Sequence, residues 1–168
     1  IDPFTVTNPG TSPAIATITV IPSFTHNGTT CSGSPKTFYI TVNPTGQVNP
    51  PANQKVCHGV LTSSILFSTI NTGGTTSYAW INSDPSIGLS ASGSGNIPAF
   101  TASNPTSSPV TATITVTPSF SNGGKSCPGA AVTFTITVNP GGQVNSVADQ
   151  TVCKNSSTAP ITFSTVNT

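Results

Sequence analysis

The chain repeats itself at a fixed spacing of 96 residues. The segment from Phe4 to Phe24, FTVTNPGTSPAIATITVIPSF, returns from Phe100 to Phe120 as FTASNPTSSPVTATITVTPSF. The segment ITVNPTGQVN at Ile40–Asn49 returns as ITVNPGGQVN at Ile136–Asn145, Cys31 returns as Cys127, and Cys57 returns as Cys153. No gap is needed, and 40 of the 72 positions that can be compared are identical. A period of this length is too long for a solenoid unit, which must stack on neighbours to bury its core. It is the length of a small domain with a core of its own. The repeat divides the chain into the C-terminal half of one copy (1–44), one complete copy (45–140) and the N-terminal third of another (141–168). A chain that opens inside a repeat reads as an internal piece of a longer array.

Within the complete copy the apolar residues alternate. Val110, Ala112, Ile114 and Val116 are interleaved with Thr111, Thr113, Thr115 and Thr117; Val132, Phe134, Ile136 and Val138 are interleaved with threonines in the same way. A period of two is the mark of a strand with one buried face. Threonine suits the other face, because its β-branch favours extended backbone while its hydroxyl stays hydrated. Further strands are expected at Gln54–Cys57, Ser64–Ile70, Ser77–Asn82 and Asn96–Ala102, with the turn-rich SNGGKSCPGA linking the last two strands as a hairpin. No helical period is sustained, and 16 prolines with 15 glycines would break most helices. About seven short strands in some 96 residues predict an all-β fold, an immunoglobulin-like β-sandwich repeated in tandem. Trp80, Ile114, Val116, Phe134 and Ile136 are its expected core. The connection VNPTGQVNP at Val42–Pro50 should be short and stiff, because its prolines restrict the backbone.

Charge is scarce. Only 4% of residues are charged, four lysines against three aspartates, with no Arg, Glu or Met. A net charge of +1 without a basic cluster offers nothing to nucleic acid or to an anionic membrane surface. No apolar run is long enough to span a bilayer. Paired carboxylates for glycoside hydrolysis and a carboxylate cage for calcium are both lacking, so no catalytic residue, cofactor or metal is expected. His26 and His58 become Asn122 and Lys154 at the repeat spacing, so the repeat itself does not retain a histidine. Both read as exposed loop residues. Asp84 precedes a proline and reads as a turn residue. Trp80 and Tyr78 are the candidates for an aromatic sugar-stacking surface, but Trp80 reads as the core tryptophan of a sandwich, and Tyr78, a candidate surface aromatic, shares its strand parity and would share its face. Asn27-Gly-Thr and Asn155-Ser-Ser match the N-glycosylation pattern.

The four cysteines occupy two positions of the repeat. Without a CxxC pair, zinc and thioredoxin chemistry are disfavoured, and disulfides in an oxidising compartment are the natural reading. Cys57 and Cys127 are the simplest pair within the complete copy, closing a loop worth roughly 4 kcal/mol in the chain-entropy account. A sandwich of this strand order, however, puts them at opposite ends, ~30 Å apart. Head-to-tail stacking offers the other pairing, between Cys57 and the counterpart of Cys127 in the following copy. Cys31 and Cys153 would be used in the same manner. Free thiols are the third possibility.

The phrases VNPTGQVN, NQKVCHG, SDPSIGLSASGSGNIPAFTASN, PVTATITVTPS and FTITVNP resemble the PKD-like repeats of giant surface proteins of gliding Bacteroidetes, the SprB-type gliding adhesins among them. The resemblance runs the length of the chain. The PKD-type WDFGDG motif is absent, with AWINSDPSIG in its place, which marks a divergent subfamily. The resemblance implies export by type IX secretion, display at the cell surface and a filament of many repeats that serves adhesion and gliding motility. Neighbouring repeats of the same chain would be its main partners, and the secretion and gliding machinery would be engaged through other regions. Two other readings are a module that binds surface polysaccharide or substratum, and the spacer of a secreted polysaccharide-degrading enzyme.

Overall fold

The computed structural model describes all 168 residues. Ten strands form, with no α-helix: β1 Ala14–Val20, β2 Ser23–His26, β3 Thr29–Ser32, β4 Lys36–Val42, β5 Gln54–Cys57, β6 Thr75–Asn82, β7 Ser92–Ser94, β8 Val110–Asn122, β9 Lys125–Pro128 and β10 Val132–Asn139. The fold is all-β. A 3₁₀ turn at Pro85–Ile87 is the only helical element; the Asp84 side chain accepts the Ser86 N–H at its start, and Gly88 ends it at φ 96°. The main sheet has six strands in the order β5-β10-β8-β6-β7, with β9 also on β8. β5 runs parallel to β10, Ile136 to Asn139 against Gln54 to Cys57. β1 pairs antiparallel with β4, and β2 with β3.

The alternation determines which side chains are buried. Along β8, Ala112, Ile114, Val116 and Phe120 have no exposed surface, while Thr111, Thr113 and Thr117 face water. Phe134, Ile136 and Val138 are buried along β10. The outward threonines bond across strands, Thr111 to Thr137 at 2.9 Å and Thr19 to Thr37 at 3.2 Å. Such hydroxyl pairs are the cross-strand contacts a wet sheet face uses.

The chain divides into two compact units that cut across the repeat boundaries. The first comprises Ile1–Asn49, Phe67–Ala79 and Val116–Val132. It holds β1 to β4, β9 and the distal half of β8, with Pro44, Val48, Phe67, Val116, Pro118 and Phe120 buried. The Phe120 ring lies where a Cβ on Gly74 would stand, so this position admits only glycine. The second comprises Pro50–Leu66, Trp80–Thr115 and Thr133–Thr168. Its core contains Ile65, Trp80, Ile87, Leu89, Ile97, Ala102, Ala112, Ile114, Phe134, Ile136 and Val138. Trp80 lies on Gly93 of β7, where a Cβ would overlap the indole. Its Nε1–H is buried without a hydrogen-bond partner.

One expectation from sequence is corrected, and two features are added. β8 and β10 are neighbours in the sheet, as expected, but the link between them is itself paired: β8 continues to Asn122 and folds back as the tight hairpin β8–β9. The two-residue turn Gly123-Gly124, at φ 58° and 72°, makes this possible. Ser64–Ile70 and Asn96–Ala102 are not regular strands; they meet at the isolated bridge Ile65–Ile97, and a second isolated bridge joins Thr101 to Leu61, ahead of the expected strand. Between those bridges the Phe100 N–H turns to the Thr62 hydroxyl, the Ser63 carbonyl accepts the Gln54 side chain, and Pro98 has no N–H to give. The ladder is broken by side-chain competition. Finally, β7 was not expected, because Ser-Gly-Ser carries none of the residue types that favour strands.

Candidate functional site: the junctions between repeats

A connected set of side-chain to main-chain hydrogen bonds lies where one repeat hands over to the next. At the first junction, in the first compact unit, Asn71 is the hub. Its Oδ1 accepts the Gln47 N–H at 2.7 Å and the Thr69 hydroxyl at 3.1 Å. Its Nδ2 donates to the Thr45 carbonyl at 3.2 Å and to Thr11 at 3.4 Å, and the Thr72 N–H donates to the Thr11 carbonyl at 2.9 Å. Asn49 fastens the far end of the linker, donating its main-chain N–H to the Ser68 carbonyl at 2.8 Å and its amide to the Ser68 hydroxyl at 2.9 Å. Asn43 and Asn122 exchange side-chain bonds, Asn43 Nδ2 to the Asn122 carbonyl at 2.9 Å and Asn122 Nδ2 to Asn43 Oδ1 at 3.0 Å. The linker is not a free tether: Pro44, Gly46 and Val48 are buried.

Gly46 is needed for close approach. A Cβ on it would stand 2.7–2.8 Å from the main chain of Pro118 and Ser119, and its carbonyl occupies the space a side chain on Gly129 would take. Its N–H donates to the Cys127 carbonyl at 3.0 Å. Backbone therefore packs on backbone, and the hairpin β8–β9 is fixed against the linker by main-chain groups.

The second junction, in the second compact unit, repeats this wiring 96 residues on. Asn167 Oδ1 accepts the Gln143 N–H at 2.8 Å and the Thr165 hydroxyl at 3.0 Å, and its Nδ2 donates to the Gly141 carbonyl at 3.1 Å. The Thr168 N–H donates to the Ser107 carbonyl at 3.0 Å. Asn145 bonds Ser164 through main chain and side chain, both at 2.8 Å. Each of these matches a bond of the first junction, residue for residue. A related pair supports the strand beside each junction. Asn8 donates to the Val42 and Ser12 carbonyls at 2.7 and 2.9 Å, and Asn104 to Val138 and Ser108 at the same distances.

The residues singled out in the sequence fall as follows. Trp80, Ile114, Val116, Phe134 and Ile136 are all buried. Tyr78 is half-buried rather than a free platform; its ring sits 5.3 Å from that of Phe67 at 48°. Burial pushes its phenol pKa up, partly offset by the hydrogen bond with Thr69. His58 is exposed, but its Nδ1 accepts the Asn104 N–H at 2.9 Å, so it also helps order the loop. Asp84 has its pKa lowered by the hydrogen bonds from Ser86. All four cysteines are free thiols here, Cys127 partly covered and Cys31, Cys57 and Cys153 exposed. Sequence reasoning missed the junction asparagines. The signal was present, since Asn8, Asn43, Asn49 and Asn71 each recur at the repeat spacing, but polar residues in a chain this rich in Asn, Ser and Thr do not stand out. No helix of the chain is long and apolar enough to cross a membrane. In comparisons with known proteins, no family model and no curated sequence matched the chain.

Proposed function

We propose that this chain is a structural segment of a long extracellular filament, built from tandem immunoglobulin-like sandwiches, that acts as a non-catalytic stalk or spacer in surface adhesion. The observation that carries the reading is the recurrence of one linker hydrogen-bond set at both junctions. A flexible tether needs no such set, and a catalytic domain has no use for copying it. The low charge and the hydroxyl-rich outer faces suit a spacer that neither attracts nor repels its surroundings. The resemblance to repeats of gliding adhesins points to the same role at a cell surface and implies that adhesive contacts belong to other regions.

Length measurement tests the proposal. Small-angle X-ray scattering on chains of two, three and four complete repeats should show a maximum dimension rising linearly, by about 35–45 Å per repeat for strands of ~10 residues plus a linker. Growth closer to the square root of repeat number would mean freely jointed domains and would overturn the stiff-spacer reading. Saturable binding of a single repeat to surface polysaccharide would replace it with a binding module.

A further inference from the structure

We propose that consecutive repeats are joined covalently, by a disulfide between Cys57 of one repeat and the counterpart of Cys127 in the next. The inference uses the strand register and the repeat spacing, and stands apart from the adhesive role proposed above. Cys57 ends β5 in register with Asn139, and the following residue, His58, donates its N–H to the Asn139 carbonyl at 2.8 Å. Its ring nitrogen accepts from Asn104, which in turn bonds the Val138 carbonyl. Cys57 thus belongs to the neighbourhood of Asn104, Val138 and Asn139, at the end of the repeat that leads into Gly141.

Moved back by one repeat, that neighbourhood is Asn8, Val42 and Asn43. A groove lined by these three residues together with Val6, Thr45 and Cys127 occurs at the first junction. Cys127 is held there by two independent constraints: its register against Phe120 in the hairpin β8–β9, and the bond from Gly46 N–H to its carbonyl. The same junction residues therefore adjoin one cysteine from each side, Cys127 from the later repeat and the Cys57 counterpart from the earlier one. Cys31 has the same hairpin register against Phe24, and Cys153 the same sequence position as Cys57, so each is placed to serve the next junction outward.

The pairing within one repeat is disfavoured by strand length. Thr137, near the end of β10, bonds Thr111 at the start of β8, whereas Cys127 is registered on Phe120 of that same strand. Nine residues of uninterrupted strand are about 30 Å, against the roughly 7 Å between Cα atoms that a disulfide permits. In the bridging step, two thiols lose two protons and two electrons as the S–S bond forms. A disulfide-carrying oxidant takes them up and leaves as two thiols.

The test lengthens the chain by a second copy of residues 73–140 after Thr168, which completes another repeat without altering any junction. The protein is refolded with oxidised and reduced glutathione, and cross-linked peptides are identified by mass spectrometry. Replacing the original Cys127 (Cys127→Ser) should leave the Cys57 cross-link intact, because its partner is the added copy. Replacing the added copy instead should abolish it and leave Cys57 open to alkylation. The 168-residue chain itself should form no internal disulfide under the same conditions. A Cys57–Cys127 link within one repeat, links only between separate chains, or five alkylatable thiols in the lengthened chain, which carries the four original cysteines and the added copy of Cys127, would each overturn the proposal.

Discussion

Asn71 does at one point what a whole turn motif does elsewhere: a single planar amide fixes the carbonyl of Thr45 and the N–H of Gln47 two residues further on. Replacing it (Asn71→Ala) leaves those partly exposed linker groups to water, at a cost of about 0.5–1.5 kcal/mol, the usual net worth of an intramolecular hydrogen bond. A denaturant melt should show this as a lower midpoint with little change in slope. Gly93→Ala reads out a different residue. The added methyl collides with the indole of Trp80, so overpacking of about 1–3 kcal/mol is expected. As the only tryptophan, Trp80 should report the displacement as red-shifted fluorescence. Asp84 gives a pH prediction. Its carboxylate is favoured in the folded state by the hydroxyl and N–H of Ser86, so its folded pKa lies below the ordinary value of 3.8. The contribution is therefore present above that value and is lost as pH falls through the lowered pKa. Titration by NMR should give an Asp84 midpoint below that of an unfolded peptide, and Ser86→Ala should move it back up.

Among the elements, those with two-residue alternation were legible in the sequence, and those governed by side-chain competition were not. β8 and β10 follow directly from Val/Ile/Phe alternating with Thr. The hairpin β8–β9 was written in Asn122-Gly123-Gly124-Lys125, but serine, lysine and proline in β9 hide it from propensity. The broken pairing around Leu61 and Thr101 depends on the Thr62 hydroxyl capturing the Phe100 N–H, a contact between residues 38 positions apart. No local pattern encodes it. Thr62→Val tests this account: it keeps the shape and removes the acceptor, and should cost about 1–2 kcal/mol. Measured amide exchange should accelerate at Phe100 while Ile97, which bonds Ile65, stays protected. The junctions were legible as a short, proline-bearing linker. Their asparagine wiring was not, because identity at the repeat spacing marks what is kept but not which partners it meets.

For the whole molecule, burial is a property of the complete repeat rather than of the residue type. Phe120 is fully buried, whereas its counterpart Phe24 is 71% exposed; Phe67 is 9% exposed and its counterpart Phe163 70%. The same sequence acquires a core only when all its strands are present, so a chain trimmed to whole repeats should bind less of a hydrophobic dye than this one. The parallel pairing of β5 with β10 has a mechanical consequence. β5 lies near the entrance of the repeat and β10 at its exit, side by side over four residues in parallel register. Tension applied along a filament drags these two strands past each other. Their slanted hydrogen bonds are then strained together rather than opened one after another. Each repeat would hold until a threshold force and then give way as a unit, an arrangement suited to a tether that must bear sudden loads.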